Sequence, residues 1–185
     1  MQNRSETLLQ RLYILPFSEA GRRDGKELAC LFTQNQVAEV LDGKTPVYPV
    51  PFCPAWLKGC IQRAGVLVPV IDVDALCVPG GKKSAKSDLE TLPPTRQILV
   101  LRTGCPDETG GHFLSVALTC RGAIETFRLT ERDVAGAVSA DEPPESGFDG
   151  HGLNRGFFRL RDHRVVLMSF DALAEGTFQA EKKED

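Results

Sequence analysis

The chain has 185 residues, 42% of them apolar, with 22 basic against 25 acidic side chains and a net charge of -3. That is enough chain for one ordinary domain, or for two small barrels sharing a core. The charge balance carries no basic excess to draw the protein onto phosphate backbones or anionic lipid, which argues against nucleic acid as a partner.

Residues 1–20 hold no apolar stretch of signal-peptide length. The longest apolar run, Val66 to Val73, is broken by Pro69 and Asp72 and falls short of the roughly 20 residues that cross a bilayer. The expectation is a cytoplasmic protein without membrane insertion. Nine short apolar segments follow in order, at 11–17, 27–32, 59–64, 66–73, 96–103, 112–119, 123–129, 157–161 and 164–170. They are rich in Val, Ile, Leu and Phe and separated by Gly, Pro or charged tips such as Asp162-His163, a pattern of hairpins and barrels rather than parallel crossovers. Helical signals are few. Thr33 is positioned to cap a short helix in which Val37, Val40 and Leu41 share a face and Glu39 points elsewhere. Pro54 to Leu57 reads as one helical turn, and Phe170 to Ala174 as another ending before Gly176. Residues 80–94 and 141–152 read as polar loops, and no internal repeat is evident.

Candidate chemistry is sparse. Cys30, Cys53, Cys60, Cys77, Cys105 and Cys120 form no CxxC pair and no zinc-ligand spacing, and read as small buried hydrophobes held reduced. His112, His151 and His163 adjoin no nucleophile motif and read as solvated turn residues. Asp72 and Asp74, two apart, suit either a hard cation or the cap of the DALC turn that follows. Lys82, Lys83 and Lys86 lack interleaved aromatics and read as a solvated loop tip.

Residues 50–73, VPFCPAWLKGCIQRAGVLVPVIDV, gather the only Trp and much of the Pro and Val content. Ala64-Gly65 suits a two-residue hairpin turn between 59–64 and 66–73. The second strand is apolar on both sides, with Val66, Val68 and Val70 on one and Leu67, Ile71 and Val73 on the other. A second layer must therefore cover the face turned away from its own sheet's core. Pro69 cannot donate to a ladder and marks a bulge or interrupted pairing.

These residues resemble the signature of the CheW-like domain family, the bacterial chemotaxis coupling fold. In that family a Pro-rich turn and an aromatic precede Gly-x-Ile, Arg-Gly and a Pro-Val-Ile-Asp strand, here Pro51, Pro54, Trp56, Gly59, Ile61, Gly65, Pro69, Val70, Ile71 and Asp72. The segments LYILPF, ELACLF and VAEVL resemble its opening hairpin and short helix, and GFFRLRDHRVVLMSFDALAEG its closing hairpin and helix, with Asp171 and Leu173.

The resemblance implies a mainly β, CheW-like fold of two small five-stranded β-barrels packed side by side with a few short helices. It spans a single domain at 11–176, with flexible tails at 1–10 and 177–185. It further implies a non-catalytic adaptor that needs no cofactor or metal. Such an adaptor links a chemosensory histidine kinase, through its CheW-like regulatory domain, to methyl-accepting receptor signalling tips. The implied partner contacts are Val37, Glu39 and Val40 on the short helix and Arg63 and Gly65 at the hairpin tip. Two other readings stand beside it: an auxiliary adaptor of a pilus-linked chemosensory system, and a metal- or thiol-dependent β-barrel enzyme built on the scattered Cys, His and Asp residues.

The chain departs from the family pattern twice. Arg63 is separated from the turn glycine by Ala64, and a shift of one residue on a strand sends a side chain to the opposite face. Leu118-Thr119-Cys120-Arg121 stands where the family commonly has Val-Asp-Arg-Val.

Overall fold

The computed structural model describes residues 8–17, 28–77, 97–106, 113–119, 123–131, 133, 138–139, 153–160 and 163–174. The loops at 80–94 and 141–152, the three loop lysines, His112, His151, Cys120 and Arg121 lie outside the described residues. Eleven strands appear among the described residues: β1 (Leu8–Pro16), β2 (Leu28–Thr33), β3 (Val37–Leu41), β4 (Leu57–Arg63), β5 (Val66–Asp72), β6 (Ile98–Pro106), β7 (Phe113–Thr119), β8 (Glu125–Thr130), β9 (Val138–Ser139), β10 (Asn154–Leu160) and β11 (His163–Met168). The helices α1 (Val73–Cys77) and α2 (Asp171–Ala174) follow β5 and β11.

The strands form two sheets, ordered β8-β1-β2-β11-β10-β9 and β3-β6-β7-β5-β4. The expected pair of β units is present, with the two-residue β9 added to the first. Each sheet contains one parallel pair, β11 with β2 and β5 with β7, which the hairpin-only expectation missed. Each also curls around its own small core. Leu41 of β3 and Ile61 of β4, from the two ends of one strand order, share a cluster with Val68, Val70, Ile98, Val100 and Ala117. Phe127 of β8 and Leu160 of β10 likewise share one with Leu12 and Val165. Between the sheets lies a larger central core that includes Leu15, Cys30, Phe32, Ile71, Val73, Leu99, Leu118, Val166, Met168 and Phe170.

Alternation along the strands divides residues between these layers. On β5, Val68 and Val70 enter the small core while Ile71 and the adjoining Val73 enter the central one. The expected two-sided burial thus holds from Val68 onward. Val66 and Leu67 are instead 61% and 66% exposed, because the hairpin tip projects past the neighbouring strands. Ala64 and Gly65 both adopt positive φ, 47° and 84°, as a type I′ turn requires. Pro69 pairs with Cys60, whose N–H and C=O point the other way, to Tyr48 at 2.8 Å each. The proline nitrogen therefore faces away from β4, just before β5 begins its ladder with β7 at Val70.

The helix expected after Thr33 is a strand. Thr33 ends β2, and its N–H and hydroxyl both donate to the Gln36 side chain at 2.9 and 3.0 Å across a three-residue turn. Residues 37–41 then pair with β6, with a bulge at Ala38. Ladder formation with β6 outweighs a five-residue helical pattern that has too little length to stand alone. Pro54 to Leu57 is a hydrogen-bonded turn, Leu57 N–H to Pro54 O at 2.9 Å, that runs directly into β4.

An internal repeat, invisible in composition, is plain in the ladders. Gly59 to Leu76 and Gly156 to Leu173 follow one plan: a bulge at the glycine, a hairpin of identical register, a helical turn and the tripeptide Asp-Ala-Leu. The β1–β2 hairpin matches β6–β7 in the same way, each beside a parallel strand. The third strand of each half is exchanged. β3, which follows β1–β2, completes the sheet of β6–β7, and β8, which follows β6–β7, completes the sheet of β1–β2.

The bulge at Gly59 admits no side chain. At φ 141°, a Cβ there would lie 2.2 Å from the Tyr48 carbonyl oxygen, whereas a Cβ at Gly65 would meet no heavy atom within 4 Å beyond its chain neighbours. Gly59→Ala should cost about 3–5 kcal/mol and Gly65→Ala about 1 kcal/mol. Urea denaturation of the two variants checks the ranking, and equal losses would refute the close approach as its cause.

Candidate functional site

The five residues singled out in the sequence lie on the two outer strands of the second sheet, β3 and β4, or at the tip that follows β4, and one of them is buried. Val37 is 8% exposed and belongs to the central core. Glu39 faces Val100 across the ladder and Arg63 shares its side of β4 with Ile61, so both point toward the small core's open rim. There they meet. Arg63 Nε donates to Glu39 Oε1 at 2.6 Å, and Arg63 Nη2 donates to Glu39 Oε2, making a bidentate fork. The two strands are at opposite ends of the strand order, so the pair spans the seam where no ladder runs among the described residues. The carboxylate's hydrogen bonds, with its charge adding, hold the Arg63 guanidinium above its ordinary pKa.

The inward-facing Arg63 is thus engaged within the protein rather than offered outward, on the side of β4 that its place two residues before Gly65 gives it. Thr119, in the second departure, is 0% exposed and Leu118 is in the central core. Substitution there acts on packing.

All six large apolar side chains exposed among the described residues belong to β3, to the segment joining it to β4 or to the β4–β5 tip: Val40, Tyr48, Val50, Phe52, Val66 and Leu67. Val40 adjoins Glu39 on β3, Val66 faces Arg63 across the hairpin, and Tyr48 bridges to Cys60 on the outer edge of β4. Phe52 is entirely exposed and adopts φ 58°, a left-handed conformation that costs a non-glycine residue roughly 1–2 kcal/mol. Sequence reasoning missed Tyr48, Val50, Phe52 and Leu67 as surface residues. The usable signal was the Pro-rich loop, although Val47 and Trp56 of that loop pack against the cores.

A second feature is a cleft of about 410 Å³ where the two sheets meet, lined by Phe32, Gln36, Leu101, Arg102, Met168 and Phe170 among others. Its mouth is braced by Arg102 N–H to Gln36 O at 2.8 Å and Gly104 N–H to Asp171 Oδ1 at 2.9 Å. Asp72, weighed above as a cation ligand, caps α1 by accepting from Ala75 N–H at 3.2 Å and pairs with Lys58 at 3.3 Å. Cys30 and Cys105 are buried, whereas Cys53 and Cys60 are half-exposed. No cluster of three or more His, Cys, Asp or Glu residues suited to a metal occurs among the described residues.

The family model of the CheW-like domain matches residues 24–178. The crystal structure of the scaffolding protein TtCheW from Thermoanaerobacter tengcongensis is similar to this chain, with a TM-score of 0.57 at 16% identity over 100% of this chain and 97% of that one. No curated protein matches the chain.

Because the ion pair is half-exposed, at 42% for Arg63 and 34% for Glu39, it fixes the seam's geometry more than the protein's stability. Glu39→Lys should leave the melting temperature almost unchanged while raising hydrogen exchange at β3. The double variant Glu39→Arg with Arg63→Glu should restore protection. Failure of the swap to restore it would show that the pair does not hold the seam.

Proposed function

The chain belongs to the CheW-like domain family, and from that membership we propose that it is a non-catalytic cytoplasmic adaptor of chemotaxis-type signalling. It joins a chemosensory histidine kinase to receptor signalling tips. The apolar edge around the Glu39–Arg63 pair takes the kinase's CheW-like regulatory domain, with Val40, Arg63 and Gly65 beside or at its tip. The cleft between the sheets takes the helical tip of the receptor.

The observation that supports this reading best is that all six large apolar side chains exposed among the described residues lie on β3, on the segment joining it to β4 or at the β4–β5 tip. Val40, Val66 and Leu67 flank the charged pair, and apolar surface beside a polar rim is the anatomy of a protein interface. The likeness in fold to TtCheW, itself a scaffolding protein, accords with it. So does the cleft, whose lining combines apolar Phe32, Leu101, Met168 and Phe170 with polar Gln36 and Arg102. No helix among the described residues is long and apolar enough to cross a membrane.

Leu67 is the most informative substitution because it is 66% exposed and makes no cluster of its own. Burying it against a partner contributes about 1.5–2 kcal/mol, so Leu67→Asp should weaken binding of the kinase regulatory domain at least tenfold. The melting temperature should not change. Isothermal titration against that domain, with a receptor-tip fragment titrated in parallel, checks the assignment. Arg102→Glu at the cleft mouth should show the opposite pattern, sparing the kinase and weakening the receptor fragment. Unchanged affinity for both partners in both variants would remove these surfaces from the proposal.

A further inference from the structure

The repeat sets the β10–β11 hairpin in the same relation to its sheet as β4–β5, yet at one equivalent pair of positions the chemistry differs sharply. Gln62 and Leu67 face each other across β4–β5, and Arg159 and Arg164 face each other across β10–β11. Both pairs lie on the side turned away from the small cores, since the flanking Ile61, Val68, Phe158, Leu160 and Val165 point to those cores, and further along each hairpin that same side carries Ile71, Phe157 and Val166 to the central core. Arg159 is exposed and Arg164 half-exposed. Directly opposed residues have Cβ atoms about 4.5–5.5 Å apart, and like charges there destabilise the ladder. Neither arginine pairs with a carboxylate among the described residues. The chain as a whole has more acidic than basic groups, 25 against 22, so this arginine pair, unpaired among the described residues, stands out against a net negative chain.

We infer that the Arg159–Arg164 pair is a docking point for a short acidic segment of a protein partner, distinct from the apolar edge of the other sheet. Two planar forks side by side match two neighbouring carboxylates in bidentate geometry, and such a ligand turns the mutual repulsion into attraction. Two guanidinium groups are too few to hold a nucleic acid backbone, whose binding rests on many phosphate contacts, and the net negative charge opposes a long polyanion. The adaptor would then carry equivalent hairpins with unlike partners, one recognised by apolar burial and the other by charge.

The test uses the intact protein and a fluorescent hexaglutamate peptide, with neither kinase nor receptor present, so its outcome is separate from that of the adaptor reading. Arg159→Gln with Arg164→Gln should weaken peptide binding about tenfold. The double variant should melt at the same temperature as the parent or higher, because it relieves repulsion. Arg159→Lys with Arg164→Lys keeps the charge, loses the forks and should fall between. Arg11 and Arg128 also face each other in the same sheet, and Arg11→Gln with Arg128→Gln removes equal charge, so it should leave peptide binding within about twofold. Equal weakening by both double variants would reduce the effect to long-range charge and overturn the inference. So would a fall in melting temperature for the first, no binding by the parent protein at low salt, tighter binding of a DNA duplex, or equal competition by inorganic phosphate.

Discussion

The exchange of β3 and β8 between the two sheets is the constraint on which the rest of this structure depends. Each half of the chain builds a hairpin and then sends its next strand to the other half, so neither small core closes without a residue from across the molecule. Leu41 closes the core of Ile98 and Val100, and Phe127 closes that of Leu12. The central core then has no choice but to lie between them, filled by the opposite faces of the same strands. Such an arrangement leaves little freedom for the two sheets to move apart.

Within this frame the two halves have diverged where they meet solvent and stayed alike where they turn. Gly59 and Gly156, the hairpin registers and the Asp-Ala-Leu turns are shared. Glu39 and Glu125 occupy equivalent places on the exchanged strands, opposite Val100 and Ile14. Their counterparts differ: Arg63 on β4, but the 5% exposed Leu160 on β10. One seam is therefore spanned by a charge pair and the other backed by an apolar side chain, which gives the two ends of the molecule different surfaces on nearly the same backbone.

Much of this was legible in the sequence. Alternation located most of the strands, Ala64-Gly65 marked a turn, and the two-sided apolar run from Val68 called for a second layer. What misled was local. VAEVL carries a helical spacing as readily as a strand's, and only the distant partner β6 decides between them. Glu39 and Arg63 were both singled out, but their meeting was not, because 24 residues and a seam between outer strands separate them. The repeat was hidden because its halves share a register and few side chains. Exposure of Val66, Leu67 and Phe52 was unreadable for a simpler reason: an apolar residue near a turn looks the same whether its tip is covered or projects.

The strand exchange also sets a clock on synthesis. β3 leaves the ribosome with its edge unpaired and must wait for β6, more than fifty residues later, which at about 5–20 residues per second is a delay of several seconds. β2 waits far longer for β11, the last strand of the chain among the described residues. Until then Leu28, Cys30 and Phe32 lack Val166, Met168 and Phe170, the part of the central core that the final strand and its following residues supply. The nascent chain thus passes through a long interval in which its central core is incomplete, and completion of that core is tied to the arrival of its final hairpin.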